Sequence, residues 1–408
     1  MAIETVPIPF PASLDAKAYE GFGREVRGVG VANFTENEFM VLEKLLYEHD
    51  LLLFRDCNLT PQQQCALTKA FDPTSNHYGH GNNHLSKSPT SLLTSLLTTL
   101  PSVPQVQLIG NGTISNHEGI SSITLKHPSH KTFHAPPHLT SDQESRGETR
   151  FYRWHMDAAL YEFAPPKVTS LYSVRTPLAP RQKCRYADDY YNSSSTTTTT
   201  EDVLENVSLG ATAFVSGKVM FEILPVQLKS LAVRTKVRYA PHPFVWMKGA
   251  KAVGTGLGLV TEGREVPLEM LPEWEEGKVQ ELPMVWKNEV TGNLHLQAHP
   301  CAAMQLIIDP VLDAEKKDGA LYPDGARIED LKEVRDLLYK IQRPAIAPKF
   351  IYPHDWKEKD LVIFHNRGLL HTALGTFKED QVRVFHQCNL AGSDFPRGPS
   401  HEDVARWS

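Results

Sequence analysis

The run RFYRWHMDAALY, residues 151 to 162, sets His155 and Asp157 one residue apart inside an aromatic and apolar stretch. Such a stretch belongs in the interior, and a carboxylate taken there demands a compensating charge or a metal. In a strand, positions i and i+2 face the same side, so the run aims an imidazole and a carboxylate at one point inside the fold. Spacing alone says little. With 18 His and 48 acidic residues, about two H-x-D/E pairs arise by chance, and the chain has two. The second, His401 and Asp403, lies in the polar tail GPSHEDVARWS and reads as solvated charge.

Around this run the chain reads as many strands with helices at the ends and in crossovers. Thr35 caps TENEFMVLEKLLYEHD, with Glu38 three positions on, and the buried strand LLLF follows. ATAFVSG is strand-like, and VMFEILPVQLKSLAVRTKVRYAP (219 to 241) reads as a helix ending in a strand. A hairpin turns at Thr291, Gly292 and Asn293. GARIEDLKEVRDLLYKIQ reads as a helix, and DLVIFHN and QVRVFHQCNL as strands. GTGLGLV (254 to 260) lacks dinucleotide spacing and a following helix, and reads as a glycine-rich loop. The expectation is a mainly β, decorated antiparallel sandwich or barrel. Residues 1–408 are expected to form a single catalytic domain. Residues 71–101, polar and rich in Gly, Pro and Ser, are expected to be a lid or loop, and the low-complexity tract 186–208 a mobile insertion.

A 408-residue chain with 41% hydrophobic content can bury a large core. Its net charge of -6, without a Lys/Arg block, gives no nucleic-acid or anionic-membrane surface. The partner is then expected to be a small molecule. Five widely spaced cysteines with no C-x-x-C pair argue against a disulfide framework or thiolate zinc site. Without a leader or an apolar span, the expected location is cytoplasmic.

Two His and one carboxylate on one face of a metal leave the other face open, so a third ligand should come from a distant strand. Residues 360 to 390 offer His365, His371 and His386. Twelve residues beyond His371 stands Arg383, in the alternating strand VRVF. A buried guanidinium must find an anion, and a dicarboxylate cosubstrate would supply one.

These residues resemble the iron(II)- and 2-oxoglutarate-dependent dioxygenases of the taurine dioxygenase type. That family pairs H-x-D with a late His and an Arg about ten to thirteen residues after it. The resemblance implies His155, Asp157 and His371 as catalytic metal ligands and Arg383 on the far carboxylate of 2-oxoglutarate. Thr212, in LGATAF, would be a second carboxylate contact. His365 stands where the family has Asp, in HNRGLLH, and is expected to be structural or to support the ligands. Longer runs, among them RFYRWHMDAALY, CRYADD, TAFVSGKVMFEILP, RYAPHPFVWM and PMVWKNEVTGNLHLQAHPCAA, resemble the fungal 2-oxoglutarate-dependent xanthine dioxygenases. The resemblance implies a double-stranded β-helix (jelly roll), the cofactor set Fe(II), 2-oxoglutarate and O2, and conversion of xanthine to uric acid with release of succinate and CO2, a step of purine metabolism.

A planar, polar purine needs in-plane hydrogen-bond partners and an apolar face. The candidates are Gln107, Lys131, Glu144, Gln387 and Asn389. Gln387 and Asn389 share a strand face with Arg383. His127, His130 and His134, in a Pro-punctuated loop, are expected to form an exposed polar stretch. Three alternatives stay open: a related dioxygenase acting on a sulfonate or another purine, a zinc hydrolase, and a non-catalytic jelly-roll binding protein. A zinc hydrolase has no use for the clamp of Arg383 and Thr212. Oligomeric state is not legible.

Overall fold

The computed structural model describes residues 3–79, 98–186, 203–313, 317–378 and 380–408. Two facing sheets of a jelly roll organise the chain. The larger has nine strands, in the order Glu4–Pro7, Arg24–Arg27, Leu51–Phe54, Leu361–His365, Val168–Arg175, Arg383–Asn389, Val103–His117 and Thr98–Leu100, with Ile120–Leu125 pairing off Val103–His117. The smaller has Thr212–Ser216 between Tyr352–His354 and Leu369–Ala373. Its pairing sets Phe214 opposite His371. Residues 151 to 155 add an irregular edge through bridges of Phe151 to Leu374 and His155 to His371.

Alternation accounts for the packing. Phe214 and Leu369 of the small sheet meet Leu171, Phe364 and Phe385 of the large one in a single buried cluster. A large lobe between the small sheet's strands carries its own four-stranded sheet (Glu281–Pro283, Thr235–Tyr239, Ala303–Ile308, Ala326–Ile328) and the helix Leu331–Gln342, capped by Asp330. Among the described residues no helix is long and apolar enough to cross a membrane.

Local signals account for much of this. Thr35 and Glu38 form a capping box on helix Glu36–His49, which ends at Asp50 in the left-handed region before strand Leu51–Phe54. The hairpin turns as expected, joining Val285–Lys287 to Leu294–Leu296 with Gly292 at φ 73. The helix expected from 219 is instead two, Gly217–Glu222 and Val226–Val233, because Pro225 has no amide N–H to continue the first.

The expected lid at 71–101 falls largely on residues 80–97, which lie outside the described residues. Its end, Thr98–Leu100, is a sheet-edge strand. The expected insertion at 186–208 falls on 187–202, also outside them. Its last part is strand Val203–Val207, with Val203 opposite Arg185 and Leu204 opposite Cys184. Leu204 and Val207 alternate into the core, which is why this part pairs.

Candidate active site

The ligand run sits where the two sheets face one another. His155 and His371 exchange backbone hydrogen bonds of 3.0 and 2.8 Å, which brings their rings to 4.3 Å between centroids. Nδ1 of His155 donates to the Arg153 carbonyl at 2.8 Å, leaving Nε2 to face inward. Asp157 follows two residues on and its Oδ1 lies 3.8 Å from His155 Nε2 and 3.7 Å from His371 Nε2. One ligand atom from each of the three falls within 4.8 Å of the others.

The Asp157 carboxylate is held from behind. Its Oδ2 accepts from Thr169 Oγ1 at 2.7 Å and from Gln387 Nε2 at 2.9 Å. Its backbone N–H donates to Asn366 Oδ1, and Asn366 Nδ2 donates to the Asp157 carbonyl, both at 2.8 Å. Burial, then the neighbouring His371 and Arg153, holds His155 well below the ordinary imidazole range. A neutral imidazole and a tethered carboxylate are the forms that bind a metal, and this donor set fits a divalent metal with one side open.

A cavity of about 510 Å³ opens in front of the triad. Arg383, Gln387 and Gln107 line it from the large sheet, and Thr212, His371 and Ala373 from the small one. Arg383 is 4% exposed. Its Nε donates to the Gly210 carbonyl at 3.1 Å and its guanidinium lies 3.7 Å from the Phe385 ring centroid. Gly210 allows this approach: it stands at φ +79, and a Cβ there would come within 2.8 Å of the arginine stem. Among the described residues no carboxylate lies within ion-pair distance of Arg383. Burial pushes its pKa down to about 9, so it stays a cation near neutrality with its charge uncompensated. Trp356 Nε1 donates to Thr212 Oγ1 at 3.2 Å and fixes that hydroxyl on the same wall. The pair fits a bound carboxylate.

The other candidates divide. Gln107 and Gln387 sit opposite one another on paired strands, and both line the cavity. Lys131 and Glu144 do not line it: they pair with each other at 2.7 Å, with the lysine exposed. Asn389 is fully buried, and a Cβ placed on Gly79 would stand 2.3 Å from its Oδ1, so it packs behind the lining. His365 Nδ1 meets Asp50 Oδ1 at 3.1 Å, and His386 Nε2 meets His117 Nε2 at 2.8 Å, both away from the ligands.

The expected exposed stretch at His127, His130 and His134 needs correcting. His130 and His134 are buried, and His127 lines the cavity with its ring 4.4 Å from Phe377. One helical turn, His130–Phe133, turns these rings inward, and His134 Nε2 donates to the Tyr152 carbonyl at 2.8 Å, bracing the ligand run. The glycine-rich loop braces it too. Gly256 accepts from Trp154 N–H at 3.0 Å, and its φ of +73 and 3.0 Å approach to the Tyr152 carbonyl exclude a side chain.

Sequence reasoning missed Thr169, Asn366 and Arg153. Arg153 had a signal, since it stands two residues before His155 on the same alternating face. Asn366 had one too, standing beside His365 in the run HNRGLLH, whereas Thr169 had none, because its contact with Asp157 depends on how the chain folds back between them.

Residues 14–389 match the profile of the taurine catabolism dioxygenase TauD, TfdA family. The chain is similar to the alpha-ketoglutarate-dependent xanthine dioxygenase xan-1 of Neurospora crassa, at 47% identity over 98% of this chain and 90% of that protein. It is similar to xan1 of Schizosaccharomyces pombe, described in the same words, at 44% over 98% and 91%. Among solved structures, a taurine dioxygenase from Burkholderia xenovorans superposes with TM-score 0.54 at 17% identity, over 98% of this chain and 92% of that one. AAD-2 in complex with Mn(II) and N-oxalylglycine superposes with TM-score 0.53 at 14% identity, over 97% and 100%.

Proposed function

From the premise that the chain belongs to the TauD/TfdA dioxygenase family, we propose the role of each residue in a site that is an iron(II)- and 2-oxoglutarate-dependent xanthine dioxygenase. The enzyme converts xanthine to uric acid; relatives at 44 to 47% identity are named alpha-ketoglutarate-dependent xanthine dioxygenases. The observation that carries the residue roles is the meeting, in one cavity, of a His155, Asp157, His371 donor set with a buried arginine that has no carboxylate of its own.

When bound, iron(II) with 2-oxoglutarate supplies oxidative decarboxylation to succinate and CO2, coupled to transfer of one oxygen atom from O2 to carbon 8 of the purine. The protein holds and shields. His155, Asp157 and His371 hold the metal, with Thr169 and Gln387 orienting the carboxylate. Arg383 and Thr212 take the distal carboxylate of 2-oxoglutarate, which sets the opposite end toward the ligands. Phe133, Phe244 and Met247 line the cavity and exclude water from the purine's side. Gln107 and Gln387 offer amides to its polar edge. Lys131, Glu144 and Asn389 reach the substrate only by leaving the contacts described above. A zinc hydrolase would leave the Arg383 charge without a purpose.

The partner is a small molecule, and a net charge of -6 supports no nucleic-acid or anionic-membrane surface. A cytosolic setting belongs to the proposal, supported by five cysteines that are all free. The test is an aerobic assay with iron(II), 2-oxoglutarate and a purine panel. Uric acid and succinate should form in equal amounts from xanthine. Succinate without uric acid would keep the family chemistry and defeat the substrate.

A further inference from the structure

Arg153 is a second cation in the cavity wall, and the roles above leave it unused. Its guanidinium carbon lies 5.2 Å from the ring centroid of Phe244, 5.5 Å from Phe133 and 5.8 Å from Tyr152. Nη1 reaches Met247 Sδ at 3.9 Å, a weak acceptor, and Nε is buried without a hydrogen bond. Among the described residues no carboxylate pairs with it. Asp157, two ligand-run steps away, is committed to Thr169 and Gln387 on one oxygen and faces the two histidines with the other.

A guanidinium has five donors in a rigid plane; Arg153 is half-buried, and the one on its Nε lies among aromatic rings with no partner, which is costly. The backbone keeps it there all the same. The Arg153 N–H donates to Thr372 Oγ1 at 2.9 Å, and its carbonyl accepts from the ring of His155. The cation is thus pinned beside the metal ligands, on the small-sheet side, while Arg383 stands across the cavity on the large sheet. Both cations line the same cavity. Its field reaches inward as well: Arg153 adds to the burial that depresses His299, pushed down to about 3.

We infer that Arg153 is the specificity-determining residue for the purine, taking its oxygen-bearing edge. The inference rests on the xanthine reading and deepens it. Xanthine carries two carbonyl oxygens, each beside a ring nitrogen, on a planar ring that loses a proton close to neutrality. Once that proton is lost, a carbonyl oxygen and the adjacent ring nitrogen both accept, and a planar fork of N–H donors matches them in the way arginine matches the O6 and N7 edge of guanine. Phe133 and Phe244, which hold the guanidinium, also offer apolar walls to the ring face. An aminopurine turns N–H donors toward the same fork and leaves both sides unpaired, so the site rejects adenine by repulsion as well as lost bonding.

The experiment compares the wild type with Arg153→Met and Arg153→Lys, each loaded with iron(II) under anaerobic conditions. Calorimetry reads xanthine and 2-oxoglutarate binding separately, and steady-state assays read KM for xanthine. Arg153→Met should weaken xanthine binding at least about tenfold, the cost of a lost bidentate contact, with 2-oxoglutarate binding within twofold. Arg153→Lys, which keeps the charge and loses the fork, should fall between. Normal 2-oxoglutarate binding with xanthine binding equal to wild type, in either variant, overturns the inference. If Arg153→Met does not fold, Arg153→Lys decides by the same comparison. A wild type that binds 2-oxoglutarate and no xanthine overturns the substrate reading itself, a result visible before any variant is made.

Discussion

Replacing Arg383 with Met separates a ligand-binding arginine from a scaffold arginine. The side chain is 4% exposed, and burial drags its pKa from 12.5 to about 9. At 1.4 kcal/mol per unit, that places the desolvation cost at roughly 5 kcal/mol. Two contacts offset it. The hydrogen bond to Gly210 contributes about 1.5–3 kcal/mol, and the face contact with Phe385 about 1–2 kcal/mol. Cost and gain nearly cancel, so the ligand-free Arg383→Met protein should be as stable as the wild type within about 2 kcal/mol. Methionine keeps the stem length and fills much of the same space. Binding of 2-oxoglutarate is another matter. Losing a buried, charge-assisted contact costs about 2–5 kcal/mol, a weakening of roughly thirtyfold or more. Thermal melts with and without 2-oxoglutarate, together with anaerobic calorimetry, measure both quantities on one sample. The wild type should gain stability from the ligand and the variant should gain almost none. Unchanged affinity would refute the carboxylate role. A ligand-free melting temperature lower by more than about 3 °C, which for a chain of 408 residues exceeds about 2 kcal/mol, would show that the guanidinium holds the fold together.

Gln387→Ala removes one of two donors to Asp157 Oδ2, so metal affinity should fall about 10- to 100-fold; a titration showing none of this would take Gln387 out of the carboxylate's support. His130, His134 and His386 are pushed by burial to about 4, 3 and 3. Below pH 6.5 the unfolded chain therefore binds protons that the fold does not. Their contribution is complete above that pH and is lost as pH falls, at up to about 4 kcal/mol per unit for the three together. Denaturant titrations between pH 7.5 and 4.5 check this, and a flat profile would contradict it. Deleting residues 193 to 200 should move the melting temperature by less than about 2 °C, because pairing of Arg185 with Val203 already holds the flanking strands in register; a larger loss in a thermal melt would show that the tract is packed.

Much of the site was legible because it depends on spacing along single strands. His155 and Asp157 point the same way through alternation alone, and Arg383 and Gln387 share a face for the same reason. The capping box at Thr35 and the hairpin at Gly292 are equally local and read directly. Arg383 stood out in the sequence because a guanidinium in an apolar strand has few fates, and the structure buries it in the cavity wall.

Which elements face one another was decided only in three dimensions. Residues 360 to 390 offered three histidines of equal standing on spacing alone, and long-range pairing separates them. The small sheet sets His371 against His155, the helix ending at Asp50 captures His365, and His386 turns to His117. The same physics turned Lys131 onto Glu144 and drew His130 and His134 inside. A side chain's direction along its strand follows from covalent geometry, so sequence determines it. Its partner across a sheet or cavity is chosen by which apolar faces bury each other, a property of the whole chain that no single stretch contains.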